Sequence, residues 1–150
     1  MSTFKFLYLT AFLFATVMVC EDAYAAEPLN YDLPLTSQEA KKLEQYLKKP
    51  LAGNFKISKV DLNDDGLYEY VVQSNQCSRQ NFCETSILTD VDDSFIELGN
   101  TKAKSVALSN KYTNGVRNLL VYNNDKNDYD YSVFVWDSPK SIYVFKEAGS

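Results

Sequence analysis

From Gly53 to the carboxyl end, short apolar or aromatic runs alternate with clusters of Asn, Asp, Gly and Ser. The runs fall near 55–62, 67–74, 84–91, 94–98, 103–109, 116–123, 130–137 and 141–146. Each is too short for an ordinary helix, and β-branched and aromatic residues suit a pleated, half-buried surface. Turn residues between consecutive runs favour antiparallel neighbours. The pattern predicts a mainly β domain (α+β at the margin), an antiparallel sheet or sandwich-like meander of about seven to eight strands.

One helix is expected ahead of these strands. Thr36-Ser37-Gln38-Glu39 has the spacing of a capping box, a hydroxyl at the N-cap with a carboxylate three residues on. Ala40, Leu43 and Leu47, with Tyr46 beside them, then recur at helical spacing until Pro50. The reading is an N-terminal amphipathic helix over 37–49 that packs across one sheet face, with its Lys and Glu side chains in water. Residues 27–35, which include Pro28 and Pro34, read as an extended lead-in.

The first 25 residues read as an address. Lys5 is followed by an uncharged apolar run from Phe6 to Val19, and Ala23-Tyr24-Ala25 is a small-x-small cleavage signal. An uncleaved anchor and a lipoprotein at Cys20 are the competing readings. Glu21 and Asp22 cut the apolar run short of the roughly 20 residues that a spanning helix needs. Val17-Met18-Val19 lacks the small residue expected before a lipidated cysteine. The expectation is a signal peptide over 1–25, cleavage near Ala25, and one β-rich domain over 26–150 in the bacterial periplasm or outside the cell. Cys77 and Cys83 are then the remaining thiols, and an even pair in an oxidising compartment predicts a disulfide.

Charge and composition narrow the function. Lys plus Arg number 15 against 20 Asp plus Glu, and loss of the leader leaves 14 against 18. A mildly acidic chain does not suit nucleic acid or an anionic membrane as principal partner. The sequence contains no histidine. That removes Ser-His-Asp and Cys-His nucleophile pairs and the usual acid–base group near neutral pH. A hydrolase would have to use carboxylates, for example Glu69 with Glu84 or Glu97, and no spacing singles out such a pair. The expectation is a protein that is not an enzyme, with no catalytic residues.

One loop carries metal chemistry in its pattern. Asp61-Leu62-Asn63-Asp64-Asp65-Gly66-Leu67-Tyr68-Glu69 places oxygen side chains at positions 1, 3, 5 and 9, with glycine at 6. Ca²⁺ takes about six to eight oxygen ligands, which a tight loop with alternating inward side chains can supply. It is not an EF-hand, because position 12 is Val72 where that loop needs glutamate. The segment Asp61–Val72 resembles the calcium loops of FG-GAP and VCBS-type repeats, D-x-[DN]-x-D-G-x-x-[DE] before an apolar strand. The resemblance implies Asp61, Asn63, Asp65 and Glu69 as side-chain ligands and Leu67 as a backbone ligand. Asp64 stands where glycine is frequent in that pattern, and Asp tolerates left-handed backbone better than most residues. The alternative is an acidic hairpin turn without a metal.

The loop has an echo. Val60-Asp61-Leu62, Gly66 and Tyr70-Val71-Val72 are matched by Val106-Ala107-Leu108, Gly115 and Leu119-Leu120-Val121, with the glycines 49 residues apart. The second loop, Asn110–Gly115, has no carboxylate, so no metal is expected there. Two units do not close a propeller, and the expectation is a duplicated hairpin within one sheet. The acidic stretch 123–130 lacks the glycine and reads as a solvated connection, as do Asp90, Asp92 and Asp93.

Two surfaces suit a protein partner. A loop closed by Cys77 and Cys83 would present Arg79, Gln80, Asn81 and Phe82 with little ordering cost on binding. Tyr68 and Tyr70 would share one strand face, and Tyr129, Tyr131, Val133 and Val135 another. The general build is similar to that of periplasmic lysozyme inhibitors and immunity proteins. The resemblance implies an exported protein-binding module, an inhibitor or immunity protein against a peptidoglycan hydrolase or secreted toxin. The alternative is a calcium-braced envelope or surface module with a structural or adhesive role.

Overall fold

The structure, a computed structural model, describes residues 24–123 and 130–149. The leader up to Ala23, the centre of the second acidic cluster and Tyr129 lie outside the described residues. A short strand β1 (Ala26–Pro28) opens the fold, followed by α1 (Ser37–Leu47). Four strands follow: β2 (Phe55–Val60), β3 (Glu69–Cys77), β4 (Cys83–Val91) and β5 (Ser94–Ala103). Four more complete the chain: β6 (Ser105–Thr113), β7 (Val116–Tyr122), β8 (Tyr131–Asp137) and β9 (Ile142–Gly149). The described residues thus form a mainly β fold of nine strands with one helix. That helix is not long and apolar enough to cross a membrane.

The strands divide into two antiparallel sheets, β2-β3-β4-β5 and β1-β6-β7-β8-β9. Each contains one up-and-down meander of four consecutive strands. The register keeps the second half of the repeat seen in the sequence, Gly66 with Gly115 and Tyr70-Val71-Val72 with Leu119-Leu120-Val121. The counterparts of Val106, Ala107 and Leu108, however, are Ile57, Ser58 and Lys59, not Val60, Asp61 and Leu62. Ile57, Ser58 and Lys59 pair with Val72, Val71 and Tyr70, while Val106, Ala107 and Leu108 pair with Val121, Leu120 and Leu119. Every number in the second set is 49 higher than its counterpart. The duplicated hairpins do not share one sheet, as the sequence reading expected. They lie in different sheets, because the repeating unit is the whole four-strand meander.

The meanders stack face to back. On β3, Val71 faces the second sheet, within a core that includes Leu62, Ile87, Leu108, Leu119, Val121 and Tyr143. Tyr70 and Val72 point the other way and pack with Leu88, Phe95 and the buried Leu43 of α1. The equivalent alternation on β7 sends Leu119 and Val121 inward and Leu120 outward, where it joins Ala107, Val133 and Val135. The order of layers is helix, first meander, second meander.

The helix starts as the sequence predicts. The Thr36 hydroxyl accepts the Glu39 amide at 3.2 Å, and the Glu39 carboxylate accepts the Thr36 amide at 2.6 Å. It ends at Leu47, two residues before the predicted end, with Lys48 in the left-handed region (φ 55°). Its charged residues are not simply a wet face. Glu39 accepts from the Tyr70 hydroxyl and pairs with Lys59, both at 2.8 Å, and Lys42 bridges Asp90 and Asp93. Asp90 and Asp93 therefore clamp the helix to the β4–β5 turn.

Candidate functional site

The loop between β2 and β3 folds around its own side chains. One Asp61 oxygen accepts the Asp65 amide at 3.2 Å and the other accepts the Gly66 amide at 2.8 Å. Asn63 donates from its amide nitrogen to Asp65 at 2.8 Å, and the other Asp65 oxygen accepts the Leu67 amide at 2.8 Å. The Asn63 side-chain oxygen also accepts the Asp65 amide at 3.3 Å, so Asn63 and Asp65 make two consecutive Asx turns, the local alternative to strand pairing that short polar side chains offer. Asp64 takes φ 58° and Gly66 φ 85°, the left-handed geometry for which their residue types suit them.

Glu69 differs from the other proposed ligands. It lies at the base of the loop, 7 % exposed, and accepts the Leu62 amide at 2.9 Å. Burial pushes its carboxyl upward, and the nearby charges of Asp65 and Asp61 act in the same direction. A cavity of about 60 Å³ lined by Leu62, Asn63, Glu69, Leu98, Val116 and Trp136 lies beside it. The structure thus brings Asp61, Asn63 and Asp65 together by hydrogen bonds, with Glu69 beneath them and Leu67 exposed. Among the described residues, no group of three or more His, Cys, Asp or Glu side chains stands where it would hold a metal ion. As it stands, the loop turns its carboxylates onto its own amides.

This loop also joins the two meanders. The Leu62 carbonyl accepts the Arg117 amide at 2.7 Å, and the Arg117 carbonyl accepts the Tyr143 hydroxyl at 2.8 Å. In the second meander the matching turn is the short Asn114-Gly115 pair, with φ 53° and 79°. The position equivalent to Glu69 is Asn118, also buried, whose side-chain oxygen has no hydrogen-bond partner among the described residues.

The other candidate stands at the end of the β3–β4 hairpin. Cys77 and Cys83 are joined by a disulfide. Residues 75–81 are exposed, Phe82 is half-buried and Cys83 is buried. Inside the loop, Ser78 donates its amide to the Phe82 carbonyl at 2.8 Å and accepts the Asn81 amide on its own carbonyl at 2.9 Å. The Ser78 hydroxyl takes the Phe82 amide at 3.2 Å, and Asn81 adopts φ 62°. The base is fastened as well, since Asn75 donates to the Asn54 and Gly53 carbonyls. Arg79, Gln80 and Asn81 thus stand at the tip of a loop held by covalent and hydrogen bonds. Phe82 turns back toward the body, where Lys104 lies over its ring at 5.9 Å.

The proposed tyrosine face does not form. Tyr68 is 52 % exposed in the loop, with Lys59 over its ring at 4.9 Å. Tyr70 is 4 % exposed under α1, which removes it from any open surface. Its burial follows from the helix, whose Glu39 supplies the partner its hydroxyl needs. Nor do the suggested carboxylate pairs meet. Glu69 faces the second meander with Val71, whereas Glu84 and Glu97 lie on the helix side with Ser86. Sequence reasoning missed the Glu39–Tyr70–Lys59 cluster and the buried Asn118. A polar residue at the repeat position of Glu69 was the signal for Asn118.

No protein-family model matches the chain, and no curated protein or solved structure is significantly similar to it.

Proposed function

We propose that this is an exported protein-binding module whose contact element is the cystine-closed loop between β3 and β4. The observation that carries the reading is the combination of exposure and restraint at Arg79, Gln80 and Asn81. A loop already held in one shape loses little conformational entropy on docking, and that saving appears as affinity. Arginine suits such a tip because its planar fork takes carboxylates in two hydrogen bonds. A groove lined by carboxylates, as in a carboxylate-dependent glycosidase that cleaves peptidoglycan, is a matching partner. In this reading the protein is not an enzyme and acts in the periplasm or outside the cell as an inhibitor or immunity protein.

The test is capture from envelope extract by processed chain and by a triple variant, Arg79→Ala, Gln80→Ala and Asn81→Ala. Processed chain is expected to retain one stoichiometric hydrolase or toxin and to suppress its activity. The variant, with an unchanged melting curve, is expected to retain none. Equal retention by both chains would remove the loop from the interface.

A second reading is a calcium-braced envelope module. It is favoured by one observation, a buried Glu69 beneath Asp61 and Asp65 with its carboxyl pushed upward. A hard cation bound there would relieve that repulsion. Modest rotations of Asp61, Asn63 and Asp65 away from their amides would offer it side-chain oxygens, with Leu67 adding a carbonyl. Melting curves with Ca²⁺ and with chelator test it: a rise with Ca²⁺ that Asp61→Ala and Asp65→Ala abolish supports the reading, and coincident curves reject it.

A further inference from the structure

The helix covers only part of the outer face of the first meander. Under α1 that face is Tyr70, Val72, Leu88 and Phe95. Alongside the helix end at Leu47 it continues as the half-buried Ser74 and Ser86. The step from helix to sheet forms a groove of about 420 Å³. That lies within the roughly 300–1,000 Å³ of small-molecule sites. The 60 Å³ cavity beside Glu69, by contrast, has room for about two waters.

The walls of the groove are held in place. Lys48 turns the chain out of α1 with left-handed backbone. Beyond it the Leu51 amide donates to the Glu44 carboxylate at 3.0 Å, and the Phe55 amide donates to the Leu51 carbonyl at 3.1 Å. The Asn54 side chain donates to the Pro50 carbonyl at 3.0 Å. These bonds fix the turn that carries Lys49 and the entry of Phe55 into β2. On the far side Gln76 and Glu84 each adjoin one half of the cystine.

The lining combines three kinds of chemistry. Leu47, Phe55 and Val72 supply an apolar wall, and Lys49 and Glu84 bring opposite charges. Among the described residues neither Lys49 nor Glu84 has an ion-pair or hydrogen-bond partner for its charged group. Lys42 and Lys59, which also stand between helix and sheet, are each neutralised by a carboxylate at 2.8 Å. Lys49 and Glu84 do not reach each other, and the space between them is open. The Gln76 carboxamide adds one donor group and one acceptor, the complement of a peptide bond.

We propose that this groove binds a short peptide with both ends free and an apolar side chain, a dipeptide in the simplest case. Its carboxylate pairs with Lys49, its ammonium with Glu84 and its amide with Gln76. The apolar side chain rests on Leu47, Phe55 and Val72. A neutral sugar leaves both charges unanswered, and an anion that meets Lys49 is repelled by Glu84. The inference does not depend on what the cystine-closed loop touches.

The experiment titrates alanyl-leucine into the purified full chain and follows backbone amide resonances. Saturable shifts at Ser74, Gln76 and Glu84 are expected, with a Kd of about 1 mM for so small a ligand. Lys49→Gln and Glu84→Gln should each weaken binding about tenfold. Lys56→Gln, on the other face of β2 by strand alternation, should leave it unchanged. The same peptide acetylated at one end and amidated at the other should also bind at least about tenfold more weakly. Equal binding of the capped peptide, or no saturable shift up to about 20 mM, would overturn the proposal. A disaccharide that saturates the same resonances while the peptide does not would overturn it too, in favour of a sugar. Should a variant fail to fold, the free and capped peptides on the unaltered chain still decide.

Discussion

The two meanders share one plan and differ in what has been attached to it. Their first hairpins have the same pairings 49 residues apart, and a left-handed glycine turns each of them, Gly66 in one and Gly115 in the other. The first meander carries the helix on its back, the acidic loop at one end and the cystine-closed loop at the other. The second has Asn114-Gly115 where the first has its acidic loop, and Asn118 where the first has Glu69. A duplicated frame satisfies the backbone in both copies, so the residues free to diverge lie in the loops and on the terminal faces. Binding is better sought in what the first meander has and the second lacks.

The comparison breaks most visibly at the helix. Leu43 is fully buried against Tyr70, Val72, Leu88 and Phe95, so Leu43→Ala should cost about 3 kcal/mol in urea unfolding. A loss under about 1 kcal/mol would mean that α1 does not close the stack.

Next in size is the acid limb that the helix gives the first meander. Burial works against the Glu39 carboxylate, but hydrogen bonds from Lys59, the Thr36 amide and Tyr70 outweigh it and hold its pKa at about 2, below the ordinary 4.5. A lowered folded pKa stabilises above the unfolded value and is lost as pH falls through the folded one. Solvent screens part of these contacts, so about 2 kcal/mol at most should therefore disappear between about pH 5 and pH 2. Glu39→Gln should flatten that part of the stability curve, and an unchanged acid limb would contradict the assignment.

Opening the cystine should cost about 2 kcal/mol, because a short closed loop removes a modest amount of unfolded-chain entropy. The paired change Cys77→Ser with Cys83→Ser, followed by thermal melting, checks this and should weaken partner capture more than it lowers stability. The glycines sharpen the likeness between the meanders. Neither Gly66 nor Gly115 has an atom within 4 Å of an added Cβ, so substitution strains only the backbone. Gly66→Ala and Gly115→Ala should cost about 1 kcal/mol each, and a large inequality would show that the turns are not equivalent.

Smallest is Glu69→Gln. Its raised folded pKa means that stability falls as pH rises from the ordinary carboxylate value through the folded one. The variant should lose that dependence and gain roughly 0.5–1 kcal/mol near neutral pH in chelator. A destabilised variant in chelator would contradict the account of Glu69 as a strained acid.

Much of this frame was legible. Alternation and turn residues placed eight strand runs close to β2–β9, and Thr36 with Glu39 announced the helix start. The segment from Asp61 to Glu69 was legible as a polar connection between two strands, and Asp64 as a residue suited to left-handed backbone. What escaped depends on contacts far apart in the chain. Tyr70 is an ordinary strand tyrosine until α1 lies over it and Glu39 receives its hydroxyl, 31 residues away. The division of the repeat between sheets escaped for a similar reason. A register shared by two hairpins does not say which of their faces meet. The inward turn of Phe82 brings its ring under Lys104, in the connection between the meanders, a contact that neighbouring residues do not announce.

The central claim is that the tip of the cystine-closed loop touches the partner. A photo-crosslinking residue at Gln80, introduced into the full exported chain and irradiated in the living envelope, tests it most directly. The account predicts one crosslinked protein at Gln80, a hydrolase or toxin, and none from the same probe at Phe145 in the second meander. The same adduct at both positions, or at Phe145 alone, would contradict it.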